Sequence, residues 1–438
     1  MKKLTRKTYI SIFTAFFIFL SLGAITFAWF TLTTTVKVEE FQAKITSGTG
    51  IEVSLDAIAF ARNIRNEDIV KQIKTNLKTG NAPIELDAVS TSNGYSNFKK
   101  INIEDYPDIP ILKTLTEADE ENPGKWIWFN LYFRTPEPDI WVYLLSDTDI
   151  ISEGKLWPAD VKYKDAEGFE DITEGTLKRV YASNSLRLSF LTCNINVDKI
   201  GLPNPIGEES KSVVIYELDP SYSVKPNLRD KNQRLDTALK PYGLVDYFRI
   251  KTGDSMGIDL LTFFNNEVLP PDVLGNNHLV DADKLDSSMD NKAAVVKLDA
   301  YHEGSGFYYG AVKIQMWIEG WDPDCYNAVL ADDLKIKLSF GGSSQTPGIL
   351  PIEIDPETEY SIEYIWDENL GTLLHENPAV VKKHELPLFL KPASIEGYVF
   401  DGWYFDEIYS DLCKCISRDP VFEVAEERNV IKLYGKIS

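Results

Sequence analysis

Val312-Lys313-Ile314-Gln315-Met316-Trp317-Ile318-Glu319 sets Val312, Ile314, Met316 and Ile318 on one side of an extended chain and Lys313, Gln315, Trp317 and Glu319 on the other. Leu334, Ile336, Leu338 and Phe340 alternate in the same way with Lys335, Lys337 and Ser339. Successive side chains of a strand point to opposite faces, so a period of two predicts half-buried strands. Working outward, Trp126-Ile127-Trp128-Phe129-Asn130-Leu131-Tyr132-Phe133 and Ile140-Trp141-Val142-Tyr143-Leu144-Leu145 flank a Pro136-Glu137-Pro138 turn, a strand-turn-strand pattern of aromatic and branched residues. Further strands are predicted at residues 186–192, 213–218 and 247–250. Towards the N-terminus, Val36, Val38 and Ile45 precede Gly48-Thr49-Gly50, and Ile51, Val53 and Leu55 follow it, which predicts a hairpin.

One helix is legible. Asn66 is placed to cap it, Ile69, Val70, Ile73 and Leu77 share a face, and Gly80 stands where a terminating glycine belongs. Its expected role is to cover a sheet. Residues 81–124 carry Asn93-Gly94, several prolines and an acidic cluster from Glu117 to Glu121, and are expected to be a solvated excursion. The fold class is therefore mostly β: a jelly-roll-like antiparallel β-sandwich with long loops over residues 31–342.

The 438 residues carry 45 Lys and Arg against 67 Asp and Glu, a formal charge of −22. Binding nucleic acid through its phosphates needs a basic face, so no nucleic-acid partner is expected. Four cysteines are too few to staple a scaffold of this length. The first eight residues reverse the charge balance, with Lys2, Lys3, Arg6 and Lys7 and no acid. Residues 9–30 then run without a charged side chain, enough helix at about 1.5 Å per residue to cross a hydrocarbon core of roughly 30 Å. Residues 1–30 are expected to be a membrane-targeting helix, either a signal peptide cut after Thr26-Phe27-Ala28 or an uncleaved anchor ending in the interfacial Trp29 and Phe30. Both fates place the remainder outside the cell or on its surface, secreted after cleavage or anchored by its N-terminus.

Gly341-Gly342-Ser343-Ser344-Gln345-Thr346-Pro347-Gly348 breaks the composition. It predicts a flexible linker over residues 343–352 and a separate domain over residues 353–438. From Pro351 onward 18 acids face 8 bases. Short strands are predicted at 361–366, 386–388, 398–405 and 431–434.

Within that domain Gly397-Tyr398-Val399-Phe400-Asp401-Gly402-Trp403-Tyr404, preceded by Leu386-Pro387 and closed by Leu433-Tyr434-Gly435-Lys436, resembles the internalin-type B repeat, also called the Listeria-Bacteroides repeat. The resemblance implies a small β-grasp-like module of bacterial surface proteins, used as a spacer or in cell-surface interactions. The motif residues are Gly397, Tyr398, Phe400, Gly402, Trp403 and Tyr404, and Ile437 stands where the repeat usually ends in Trp. From the residues themselves, Trp403 and Tyr404 read as packing groups rather than a glycan platform, and Gly402 as a strand kink.

A second resemblance starts at the leader. Gly23-Ala24-Ile25-Thr26-Phe27-Ala28-Trp29-Phe30-Thr31, a strand with Phe41, and Ser47-Gly48-Thr49-Gly50-Ile51-Glu52-Val53-Ser54-Leu55 are similar to the start of the TasA/camelysin family. That family implies an exported jelly-roll protein of extracellular biofilm-matrix fibres, in which the segment after the leader can complete a neighbour's sheet. The long loops at 81–124 and 265–292 depart from a compact member. Residues 33–45 are thus open to two readings, the first strand of their own sandwich or a strand donated to another copy.

Chemistry-bearing motifs are sparse. There is no His-Glu-x-x-His; His278, His302, His375 and His384 are scattered, and Gly304-Ser305-Gly306 beside His302 reads as a turn. No enzyme is expected, and no cofactor other than Ca²⁺. Candidate calcium ligands are Glu319, Asp322 and Asp324 around a Gly-Trp-Asp-Pro turn, and the cluster of Asp281, Asp283, Asp286 and Asp290. Cys193 and Cys325 each stand near a predicted strand end and could form a disulfide, and Cys413 and Cys415 could close a small loop. The function expected is an exported bacterial cell-surface or extracellular-matrix protein with a structural or adhesive role, a fibre subunit by self-assembly. One alternative is a membrane-anchored monomer displaying the C-terminal repeat to a surface protein or glycan ligand, and one of another class is a carbohydrate-active enzyme.

Overall fold

The computed structural model describes residues 36–47, 50–91, 93–96, 98–101, 112–114, 126–159, 162–164, 171–202, 205–218, 273–320, 322, 325, 332–354, 359–382, 388–409, 412–413, 415–416 and 430–438. The targeting segment at 1–30, the acidic cluster at 117–121, the strand predicted at 247–250 and Asp324 lie outside them. Among the described residues no helix is long and apolar enough to cross a membrane.

The main strands of the first domain are β1 (Val36–Ser47), β2 (Ile127–Thr135), β3 (Ile140–Leu144), β4 (Leu186–Ile195), β5 (Ile206–Tyr216), β6 (Ala294–Leu298), β7 (Phe307–Glu319) and β8 (Asp333–Ser343). One sheet has the order β6-β3-β8-β1, with Asn63–Ile64 at its edge. The other runs β5-β4-β7-β2, with Ile352–Glu353 added to β5 and Glu52–Ser54 to β2. The sheets pack face to face. Phe41 of β1 meets Phe129 of β2 edge-on at 5.0 Å, and Phe340 of β8 meets Phe133 at 5.3 Å and Phe190 of β4 at 6.0 Å.

The alternation that predicted β7 and β8 appears as expected on the inner face, where Val312, Ile314, Met316 and Ile318 are fully buried. Strand direction is different from expectation. β1 pairs with β8 in parallel, and Ile318 and Glu319 pair in parallel with Ala88 and Val89. Alternation reports which face a side chain takes and carries no information about the sense of the neighbouring strand, so an all-antiparallel sandwich is corrected to a mixed one.

Two turns also differ in what they join. β1 and Glu52–Ser54 belong to different sheets, so these two strands do not form the expected hairpin, and Gly48 and Thr49 lie outside the described residues. The Pro136-Glu137-Pro138 turn links the two sheets between β2 and β3, with Asp139 taking φ +55°. In β1, a bulge between Val38 and Glu40 shifts the alternation by one, which returns Phe41 and Ala43 to the core.

The helix α1 (Asn66–Asn76) buries Ile69 and Ile73. Asn66 does not cap it. Its Oδ1 accepts the backbone N–H of Phe41 at 2.7 Å, tying the helix to β1, and Arg65 is the N-cap without a side-chain bond. The left-handed residue directly after the C-cap Leu77 is Lys78 at φ +54°, two residues before Gly80.

Residues 84–98 are not a solvated excursion. Ile84, Leu86, Ala88, Val89 and Phe98 are buried, and Phe98 stacks on Trp126 at 4.5 Å. Ile84, Leu86 and Ala88 join the core between the sheets, whereas Val89 and Phe98, with Trp126, cover the outer face of β7, where Gln315, Trp317 and Glu319 are buried as deeply as the inner row.

The segment expected to be a flexible linker is built into the sandwich. Gly341, Gly342 and Ser343 end β8 opposite Tyr143, Val142 and Trp141. A Cβ on Gly342 would stand 1.8 Å from Ile51 Cδ1, and one on Gly348 1.9 Å from the Asp290 carbonyl oxygen. Ile352 and Glu353 then pair with Val213 and Ser212. Glycine here permits close approach of backbones, the opposite of its use in a loose tether.

The C-terminal domain carries a mixed sheet on β9 (Glu359–Ile365), β10 (Phe400–Tyr404) and β11 (Val430–Ile437), with β11 in the centre, parallel to β9 and antiparallel to β10. Val380–Lys382 and Leu412–Cys413 flank it. Its core holds Tyr360, Ile362, Trp403, Ile431 and Leu433, separate from that of the sandwich.

Candidate functional site

The motif Gly397 to Tyr404 forms the turn into β10 and the strand itself. Gly397 sits at φ +84° and Gly402 at φ +148°, beside a register shift between Phe400 and Gly402. Gly402 is the expected kink, and a Cβ there would meet Leu412 Cδ1 at 2.8 Å. Trp403 is core: its ring lies 4.8 Å from Tyr364, 5.0 Å from Phe400 and 5.5 Å from His375, and its Nε1 donates to the Lys391 carbonyl at 3.0 Å. Tyr404 points to the other side of the sheet, where it meets Tyr409 edge-on at 5.4 Å. The Lys436 ammonium stands 5.8 and 5.9 Å from these two rings. Ile408, 82% exposed, and Leu412 are beside them, and Tyr409 is held at φ +57°. Tyr398 is exposed on the turn. The motif therefore divides into one internal aromatic group and an outward tyrosine patch.

Of the calcium candidates at the end of β7, Glu319 and Asp322 are brought together, and the group they surround is an arginine. Arg187 of β4 lies beside Trp317 in register, almost fully buried. Its Nη2 donates to Asp322 Oδ2 at 2.6 Å, and its Nη1 pairs with Glu217 Oε1 at 3.0 Å. Glu319 Oε2 accepts from Trp317 Nε1 at 3.0 Å. Burial alone would lower the Arg187 pKa, but Glu217, Asp322 and Glu319 outweigh it and raise it, so the guanidinium stays charged. Asp322 and Glu319 also hold the Cys325 thiol, already pushed up by burial, well above its ordinary range.

The second cluster does not converge either. Asp281 accepts from Ser146 at 2.7 Å and pairs with Lys284. Among the described residues no group of three or more His, Cys, Asp or Glu side chains is placed to hold a metal ion.

Cys193 and Cys325 are thiols, not a disulfide. Cys193 lies opposite Ala311, whereas Cys325 follows the far end of β7, where its N–H donates to the Asp322 carbonyl. At about 3.3 Å per residue the strand sets them more than roughly 20 Å apart, against the ~7 Å limit between bridged Cα atoms. Burial pushes the Cys193 thiol up to about 11.

His302 Nδ1 and Ser305 Oγ are 3.0 Å apart at the tip of a hairpin, and Ser305 Oγ is 3.0 Å from the Tyr309 hydroxyl. The Ser305 and Gly306 N–H groups both donate back to the His302 carbonyl, so this is the expected turn.

Comparison with protein-family models, with curated proteins and with solved structures finds no match for the chain.

Proposed function

We propose that the chain is an exported bacterial cell-surface or extracellular-matrix protein with a structural or adhesive role, built as a jelly-roll-like sandwich followed by a β-grasp-like repeat module. The observation that carries the reading is the order of the parts: a basic leader and a 22-residue stretch without charge end at Phe30, and the first strand of a β domain begins at Val36. The use of the polar side chains supports it. Of the carboxylates at ligand spacing, Asp322 pairs with Arg187 and Glu319 accepts from Trp317, and the Ser305–His302 pair closes a turn, a use of polar groups that suits a scaffold rather than a carbohydrate-active enzyme. The exposed Ile408 and Tyr409, beside the half-buried Tyr404, supply a surface for a protein or glycan partner.

A second reading, the anchored monomer that displays its repeat module, is favoured by one observation. Val36–Ser47 lies inside its own sheet, between β8 and Asn63–Ile64, rather than presenting an open strand. Fibre assembly by strand donation then needs β1 to leave β8 first. The intact mass of the chain recovered from the producing cells separates the fates: loss of about the first 28 residues favours a released, assembly-competent subunit, retention of all of them the anchored monomer. Recovery of the full-length chain from the cytosol alone would refute both.

A further inference from the structure

The strands by which the chain enters and leaves the sandwich are direct neighbours, and they run the same way. Their register goes from Lys37 opposite Asp333 to Ser47 opposite Gly341. The start of β1 thus lies at one end of the ladder and the end of β8 at the other. A force drawing the chain's two ends apart pulls β1 backwards and β8 forwards along their common axis. Every hydrogen bond of the ladder is then strained together, whereas two antiparallel neighbours loaded at their free ends would open one bond at a time.

We propose that the β1–β8 ladder is a shear clamp, which makes the sandwich a load-bearing link between whatever holds its N-terminus and whatever the C-terminal module grips. Burial strengthens the clamp. Val36, Phe41 and Ala43 of β1 and Leu334, Ile336, Leu338 and Phe340 of β8 are all in the core, so water cannot readily replace a strained bond before the strands have slid. Both strands are backed on their other sides, β8 by β3 at Phe340–Ser343 and by Asp149–Ser152, β1 by Asn63–Ile64 and Glu85–Leu86.

The segment after β8 adds a weaker stage in series. It is held by the Tyr143 hydroxyl on the Gln345 carbonyl (2.6 Å), by the Gly348 N–H on Met289 (2.7 Å), by the Ile349 N–H on Lys292 (3.0 Å) and by the two-residue pairing with β5. These few contacts are loaded one after another. They yield first and release roughly 40 Å of chain at about 3.4 Å per residue before the ladder takes the load.

The load-bearing role rests on the surface reading above; the directional resistance is a property of the fold and is measured without it. The full chain, kept in detergent, is stretched between DNA handles at its two ends, and the K335C variant between its N-terminal end and residue 335, which lies opposite Glu40 near the start of the ladder. The second geometry opens the ladder from one end. End-to-end loading is expected to show a short early extension and then unfolding at roughly twice the force, or more, of the K335C geometry. Q42P, placed mid-strand opposite Lys337, removes a ladder donor and lowers the end-to-end force with little effect on the other. Equal forces in the two geometries, or a lower force end to end, would overturn the clamp. Absence from the cell surface with the force difference intact would defeat the surface reading and leave the clamp standing.

Discussion

Replacing Arg187 with methionine keeps the aliphatic stem that packs beside Trp317 and removes the charge that Glu217 and Asp322 share. Arg187 and both carboxylates are buried, and the pairs measure 3.0 and 2.6 Å. Removing one partner of such a buried pair costs about 3–5 kcal/mol, because the remaining charge is left without compensation. With a guanidinium m-value of about 3 kcal/mol/M, the unfolding midpoint of R187M falls by about 1–1.7 M. The triple variant R187M/E217Q/D322N removes the stranded charges as well as the arginine, so it is expected to recover part of the loss rather than add to it. Guanidinium titrations followed by tryptophan fluorescence read all of this. A midpoint for R187M within about 0.2 M of the parent, or a triple variant lower than R187M, would refute the account of Arg187 as the centre of a buried charge cluster.

Four further outcomes follow from the same packing. W403A is expected to cost the C-terminal domain about 3–5 kcal/mol, read as faster amide exchange in 359–365 and 430–437 with β4 and β7 unaffected; unchanged exchange would mean that Trp403 is not core. G348A, whose Cβ meets the Asp290 carbonyl at 1.9 Å, should lower the melting temperature further than G80A, which has nothing within 4 Å and costs only the left-handed backbone at φ +59°; equal melting temperatures would contradict the docked segment. Asp147 pairs with Lys44 at 2.8 Å; burial alone would raise its carboxyl, but the hydrogen bonds and charge of Lys44 hold it below the ordinary value. Its contribution is therefore present above the unfolded pKa near 4 and lost as pH falls through the lower folded value, so D147N should be less stable than the parent at pH 7, by less than about 1 kcal/mol, and equal to it near pH 2; a constant difference would refute the pairing. Cys193 and Cys325 should resist alkylation at pH 8 until the chain unfolds, and rapid labelling of either in the folded protein would contradict their burial.

Much of the sandwich was legible because one physical rule, alternation, governs it. Val312 to Ile318 and Leu334 to Phe340 face the core as their spacing says. What alternation cannot carry is the partner. Whether β1 lies parallel to β8, and whether the Pro136-Glu137-Pro138 turn closes a hairpin or changes sheets, depends on contacts hundreds of residues apart, with no local signature. The glycines of residues 341–348 misled for a related reason: absence of a Cβ suits a mobile tether and a crowded backbone equally, and only the position of Ile51 and Asp290 distinguishes them.

The buried charge cluster shows the same limit. Glu319 and Asp322 stood out as acids at ligand spacing, whereas alternation in Leu186-Arg187-Leu188 only sets Arg187 on the opposite side of the strand from its two leucines and does not name its partners. That side is dry because Val89, Phe98 and Trp126 pack over it. The signal that could have pointed there is Trp317 among Lys313, Gln315 and Glu319, a large aromatic on the supposed solvent face. In the C-terminal domain the packing role of Trp403 followed from the residues, while the outward patch of Tyr404, Ile408 and Tyr409 depends on Tyr409 taking a left-handed backbone, which nothing local announces.

The central claim, that this chain works outside the cell, is tested most directly by brief trypsin treatment of intact producing cells, with mass spectrometry of the peptides released. The account predicts peptides from residues 36–438 in the supernatant while a cytosolic marker stays intact. Peptides of the chain appearing only after the cells are broken would contradict it.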